Sequence, residues 1–161
     1  MALTRISELY LADLSEIYES EAEILRQLPL MAARASESAL RQIFEDHYRE
    51  TRTHIDRLDA IFAQLDERRR STSAPAIRGL TEEARLRQAF LERGELLDLA
   101  LIDGGRRMEH YEMAAYSALI SYARRLGHQD SEAMLLQTLE EERRADSQLE
   151  GLRSSTRLTA A

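Results

Sequence analysis

Residues 47 to 54 read HYRETRTH, and residues 109 to 112 read EHYE. Side chains three, four and seven apart share one face of a helix, so His47, Glu50 and His54 align on one side of their segment, and Glu109 and Glu112 on one side of theirs. Carboxylates and imidazoles gathered in this way are donors for divalent metal ions. The neighbours sharpen the point, because Glu109 and Glu112 lie among Met108, Met113, Ala114 and Ala115, where a helix would bury its apolar side. A buried, isolated carboxylate is costly unless it is paired, protonated or bound to a metal. Either these two face water or something cationic sits between them.

The elements that must position these groups follow from composition and periodicity. The chain has 161 residues, 43% of them hydrophobic, with only 6 Gly and 2 Pro. Ala, Leu, Glu and Arg dominate, which favours helix throughout and an all-α fold of one domain. Its 22 basic residues are scattered among 29 acidic ones for a net charge of −7, which leaves no footprint for nucleic acid. There is no cysteine, so any metal must be held by oxygen and imidazole. The start, MALTRISELYLADL, is too polar for an export signal, and no apolar run reaches 18 residues; the expectation is a cytoplasmic protein without a membrane partner.

Four long periodic segments emerge, at about residues 4–35, 36–66, 94–126 and 131–152, with Ser36 as the N-cap of the second, Gly127 closing the third and Pro29 bending the end of the first. Residues 67–80, ERRRSTSAPAIRGL, read as the one extended connection, followed by a short helix capped by Thr81. The bundle domain is expected over 1–153, with 154–161 a frayed tail.

Each segment carries an apolar seam interrupted at its middle by polar groups. In the first, Leu14, Ile17, Glu21, Ile24 and Leu28 fall on one line; in the second, Leu40, Ile43, His47, Glu50, His54, Leu58, Ile61 and Leu65. The third reads Ile102, Gly105, Glu109, Glu112, Tyr116, Leu119 and Ala123, and the fourth Leu135, Leu139, Glu142, Asp146, Leu149 and Leu152. In an antiparallel bundle the middles of the helices meet at one level, so Glu21, His47, Glu50, His54, Glu109, Glu112, Glu142 and Asp146 converge on one interior site. Five glutamates cannot share that space ionised without counter-charge, which two divalent cations would supply. An oxygen-rich shell with one or two imidazoles suits iron or manganese, and it accepts zinc as well. Glu140 and Glu141 compete with Glu142 for the inward position, and His110 and His128 read as solvent-facing or helix-terminal. Tyr18, Tyr48, Tyr111 and Tyr116 read as packing residues whose hydroxyls find partners.

The segments LSEIYESEAEIL, FEDHYRETRTHIDRLDAIF, IRGLTEEA, MEHYEMAAYSAL and LQTLEEERRADSQL, in this order and spacing, resemble the YciE/YciF family of ferritin-like bacterial stress proteins over roughly residues 3 to 152. The resemblance implies a ferritin-like four-helix bundle with an extra short helix in its central crossover, a dinuclear metal centre and a homodimer in the cytoplasm. Its metal positions, carried onto this chain, are Glu21, His47 or Glu50, Glu109, Glu112, and Glu142 with Asp146. Two departures stand out. Position 54 is His where the family tends towards Gln, which adds a potential ligand. Gly104 and Gly105 replace helix-favouring residues, which points to close packing against a neighbour or to a local irregularity beside the site.

The leading functional expectation is two divalent ions per chain, iron or manganese, reacting with oxygen or peroxide. Glu50 and Glu142 would bridge the ions, with Glu21, Glu109 or Glu112 terminal and one imidazole orienting a carboxylate. Peroxide reduction, ferrous oxidation and oxidation of an organic substrate remain open. The alternative is a helical binding or assembly module whose acidic seam is structural and whose activity lies with a protein partner. Cage-type iron storage ranks last, since the short tail gives no reason to expect a closed shell.

Overall fold

The computed structural model describes residues 3 to 155, and among these all regular structure is helical. Five helices follow one another: α1 (Ile6–Arg34), α2 (Ser38–Gln64), α3 (Pro75–Gln88), α4 (Glu95–Leu126) and α5 (Gln129–Ser155). The four long ones close a ring in which α1 packs on α2 and α4, and α5 packs on α4 and α2. Along α1 the chain runs from the Tyr10 end of the bundle to the Met31 end, α2 and α4 run the other way, and α5 returns in the direction of α1. Every neighbouring pair in the ring is therefore antiparallel. Since α2 and α4 start at the same end, the chain between them must travel back along the whole bundle, and α3 rides in this crossover against α4 and α1. This is the all-α, ferritin-like bundle with a long crossover read from the sequence.

Local chemistry explains where the elements start and stop. The Glu8 carboxylate accepts the backbone N–H groups of Thr4 and Arg5 at 2.9 and 3.1 Å, satisfying donors at the head of α1. Ser36 does not cap α2 as its position suggested. The helix begins at Ser38, and the buried Asp98 reaches across from α4 to accept the N–H groups of Ser36 and Glu37 at 2.8 and 2.9 Å. The extended connection also ends sooner than expected: α3 begins at Pro75, in the first turn where a missing N–H costs nothing, and not at Thr81. α1 continues through Pro29 to Arg34. At the far end of α4, Gly127 takes φ 75° and its N–H bonds the carbonyl of Arg124, a left-handed stop. α5 holds helix to Ser155, two residues into the segment expected to fray; the rest of that tail, 156–161, lies outside the described residues.

The Gly104–Gly105 pair sits inside an uninterrupted helix, so close packing, not irregularity, accounts for it. A Cβ on Gly105 would stand 3.1 Å from Leu149 Cδ1 and 3.4 Å from Phe44; one on Gly104 would stand 3.3 Å from the Cβ of Ala84 on α3.

The core is in two parts. One apolar cluster contains Ile24, Leu28, Leu40, Phe44, Leu101, Ile102 and Leu149; the other contains Leu14, Ile17, Leu58, Ile61, Tyr116, Leu119 and Leu139. Between Ile17 and Ile24, Phe44 and Leu58, Met108 and Tyr116, and Leu139 and Leu149, the buried positions are filled largely by polar groups. A polar belt therefore crosses the bundle at mid-height.

Candidate metal centre

Each long helix contributes to this belt from its central turns. α1 supplies Glu21, α2 His47 and His54, α4 Glu109 and Glu112, and α5 Glu142. All six residues are sealed from solvent, none exceeding 4% exposure. Their placement follows from helix geometry: seven residues separate His47 from His54, close to two turns, so both rings leave the same face of α2. Their centroids lie 6.2 Å apart.

The six residues form two overlapping groups. His47, Glu109, Glu112 and Glu142 offer donor atoms that all lie within 4.8 Å of one another, and so do Glu21, His54 and Glu142. Glu142 belongs to both. His47 Nε2 lies 3.4 Å from Glu109 and 3.7 Å from Glu142, while His54 Nδ1 lies 3.1 Å from Glu142 and 3.5 Å from Glu21. These approaches lack hydrogen-bonding alignment. Both oxygens of Glu112 and of Glu142, both ring nitrogens of His47, Nδ1 of His54 and one oxygen each of Glu21 and Glu109 are buried without a hydrogen-bond partner. Buried polar groups are nearly always satisfied, so this concentration of orphaned donors and acceptors marks a place built to receive something. Hard oxygen donors with two imidazoles and no thiolate match a divalent cation of the iron, manganese or zinc type.

The electrostatics state the same need. Burial, reinforced by the charges of Glu142, Glu21 and Glu109, pushes the carboxyl of Glu112 well above the ordinary carboxylate range. Burial likewise raises Glu109, against the opposing pull of His47. For the imidazoles burial acts in the other direction, but surrounding carboxylates outweigh it: His47 is pushed up to about 9, chiefly by Glu109, and His54 to about 12, chiefly by Glu21 and Glu141. Glu142 is drawn below its usual value despite its burial, because His54 and His47 flank it. With no cation added, the cluster balances itself by keeping protons on Glu109, Glu112 and both imidazoles. Tyr116, also buried, donates its hydroxyl to Glu21 and is held well above an ordinary phenol by burial and by that carboxylate.

Of the eight residues singled out in the sequence, the structure brings Glu21, His47, His54, Glu109, Glu112 and Glu142 together and leaves Glu50 and Asp146 outside both groups. Glu50 turns to the rim, where Arg144 binds it, and its Oε2 lies 3.9 Å from His47 Nδ1. Asp146 is taken by Arg106 at 2.7 Å and lies 3.3 Å from His110 Nε2. Both are claimed by cations on the bundle surface. Glu142, not Glu140 or Glu141, is the inward residue of α5. Glu141 instead accepts from His54 Nε2 at 3.0 Å and from Arg57 Nη2 at 2.9 Å. Two further residues of the site fall outside the original eight: Arg57, and Thr51, which is fully buried in the belt with its hydroxyl unpartnered. Arg57 had a signal, since it follows His54 by three residues and so shares its face.

Comparison with known proteins agrees with this architecture. Protein YciF of Escherichia coli (strain K12) is 33% identical over 153 residues, covering 94% of this chain and 92% of that one. The crystal structure of the E. coli stress protein YciF superimposes with a TM-score of 0.92 at 32% identity, covering 96% of this chain and 98% of that chain. YcfI from Rhodopseudomonas palustris gives a TM-score of 0.88 at 34% identity over 98% of this chain and 96% of that chain. A Xanthomonas campestris protein at 18% identity, with a TM-score of 0.74 over 94% of this chain and 92% of that one, shares the fold. With residues 5–161 matching the family described as Domain of unknown function (DUF892), and with this likeness to YciF over nearly its whole length, the chain belongs to the DUF892, YciF-like family of helical bundle proteins.

Proposed function

We propose that this chain is a dinuclear carboxylate protein of the stress response that holds two iron or manganese ions in the polar belt and reacts with oxygen or peroxide. The observation that carries the reading is the pair of donor groups sharing Glu142, each sealed between apolar clusters and each rich in unpartnered oxygen and nitrogen. His47, Glu109 and Glu112 would hold one ion, Glu21 and His54 the other, and Glu142 would bridge them. Bound there, the pair would supply Lewis acidity and one-electron redox chemistry towards a small oxidant. The chain's own part is to exclude bulk water, to fix the carboxylates, and to hold a proton on the Tyr116 hydroxyl beside Glu21. The description of the E. coli relative as a stress protein supports the physiological setting. A homodimer in the cytoplasm completes the proposal; among the described residues no helix is long and apolar enough to cross a membrane.

Elemental analysis of protein purified without added metal tests the first half. The expected result is close to two ions per chain in the wild type and a loss of both in Glu142→Ala. Stopped-flow consumption of oxygen or peroxide by the ferrous or manganous protein tests the second. Two ions without such consumption would leave a centre that staples the bundle and does no redox chemistry.

A further inference from the structure

The two imidazoles of the belt are not equivalent. His47 has both ring nitrogens unpartnered, and the carboxylate behind it, Glu50, stays 3.9 Å from its Nδ1. His54 is anchored from behind. Its Nε2 lies 3.0 Å from Glu141 Oε2, and Glu141 is itself gripped by both terminal nitrogens of Arg57, one of which also donates to Thr138 Oγ1 at 3.0 Å. The arrangement crosses from α2 to α5 and back, so it fixes the ring relative to two helices at once. An ionised carboxylate held by a guanidinium can only accept a hydrogen bond, and the ring nitrogen facing it must therefore be the one that carries hydrogen. The other nitrogen, Nδ1, then points to the space between Glu21 and Glu142, at 3.5 and 3.1 Å, and has no hydrogen-bond partner of its own.

We infer that Glu141, locked by Arg57, is a positioning residue that holds His54 with hydrogen on Nε2 and so presents Nδ1 as the nitrogen ligand of the ion shared by Glu21 and Glu142. This rests on the dinuclear reading above and deepens it. It assigns the anchored ligand to His54 and gives the Arg57–Glu141 pair a role beyond joining α2 to α5. The consequence is an asymmetric centre, in which affinity for the Glu21-side ion depends on a carboxylate that never touches metal.

Cobalt(II) is the probe, titrated into the intact chain and followed by calorimetry and by proton NMR. The expected wild-type result is two ions per chain, with a hyperfine-shifted imidazole N–H that exchanges slowly with solvent and vanishes in His54→Gln. Glu141→Ala should weaken the second ion by about 10- to 100-fold, leave the first unchanged, and speed exchange of that N–H. Glu141→Gln keeps an oxygen acceptor opposite Nε2 and should recover most of the lost affinity. A merely structural salt bridge would lower the melting temperature in Glu141→Ala without moving the ratio of the two affinities or the N–H exchange, and that result overturns the inference. So does a Glu141→Gln variant as impaired as Glu141→Ala, because charge and not hydrogen-bonded orientation would then be the cause. Wild-type protein that takes up no cobalt overturns the dinuclear reading itself, whereas two bound ions with a signal indifferent to His54→Gln overturns only the roles of His54 and Glu141.

Discussion

Glu112 shows most plainly what the belt costs the fold. Its two oxygens are buried without partners, and burial together with the neighbouring carboxyls of Glu142, Glu21 and Glu109 disfavours its ionised form. A polar group left buried without a partner costs about 1–3 kcal/mol, a cost that an apolar side chain of similar volume does not carry. Glu112→Leu is therefore expected to raise the melting temperature of the metal-free protein while abolishing uptake at the His47-side position, a trade that thermal melts with and without metal will reveal. A residue kept for packing would show the reverse. Acidity follows from the same groups. Folded and metal-free, His47 keeps its proton up to about pH 9 against an ordinary 6.5, and Glu109 and Glu112 keep theirs well above 4.5. Between about pH 6.5 and 9 these groups thus hold more protons in the folded chain than in the unfolded one, and the stability they contribute falls as pH rises. A metal ion held at the same sites would have to displace those protons, so its affinity should rise over that window. Melting temperatures of chelated and metal-loaded protein should diverge with increasing pH; parallel curves would mean that these groups are not where the ion sits.

At the scale of the helix, what could be read in advance was the face, and what could not was every step along it. The lines through α1 and α4 were legible throughout: Leu14, Ile17, Glu21, Ile24 and Leu28, and Ile102 through Ala123, are all buried. On α2 the buried path goes from His47 to Thr51 to His54, not through Glu50, and on α5 from Glu142 to Ala145 to Leu149, not through Asp146. A helix turns every 3.6 residues, so three and four are both admissible steps. The choice at these two points was decided by Arg144 and Arg106, partners on other helices that no periodicity announces. The α2 cap was hidden for the same reason, since Asp98 lies 61 residues beyond Glu37 in the chain. Asp98→Ala should cost about 1–2 kcal/mol, as loss of a good cap does, and speed amide exchange in the first turn of α2. The helical glycines separate by their surroundings. Gly151, with nothing within 4 Å of an added Cβ, should be stabilised by Ala by about 0.5–1 kcal/mol, whereas Gly105→Ala meets Leu149 at 3.1 Å and loses that gain to overpacking. Denaturant melts should show a gain for Gly151→Ala and none for Gly105→Ala.

For the molecule as a whole, the belt divides the interior into two apolar halves, each drawing on all four long helices. Either half alone holds the helices near one end of the bundle, so the fold does not depend on metal to collapse. What the ions would add is a tie at mid-height, where α1, α2, α4 and α5 otherwise meet through buried polar atoms without hydrogen-bond partners. Chelated protein should therefore keep its helical circular dichroism but melt lower, because a ligand that binds only the folded state adds about 2.7 kcal/mol when present at a hundred times its dissociation constant. For a chain of this length that corresponds to roughly 5–10 °C for one ion. The gain should be local as well as global. Amides flanking Glu109–Tyr116 on α4 and His47–His54 on α2 should gain hydrogen-exchange protection on metal loading, while those of α3, which contributes nothing to the belt, should not. Uniform protection across all five helices would instead point to ions acting on the surface charge of the whole chain, and the belt would lose its claim to be the site.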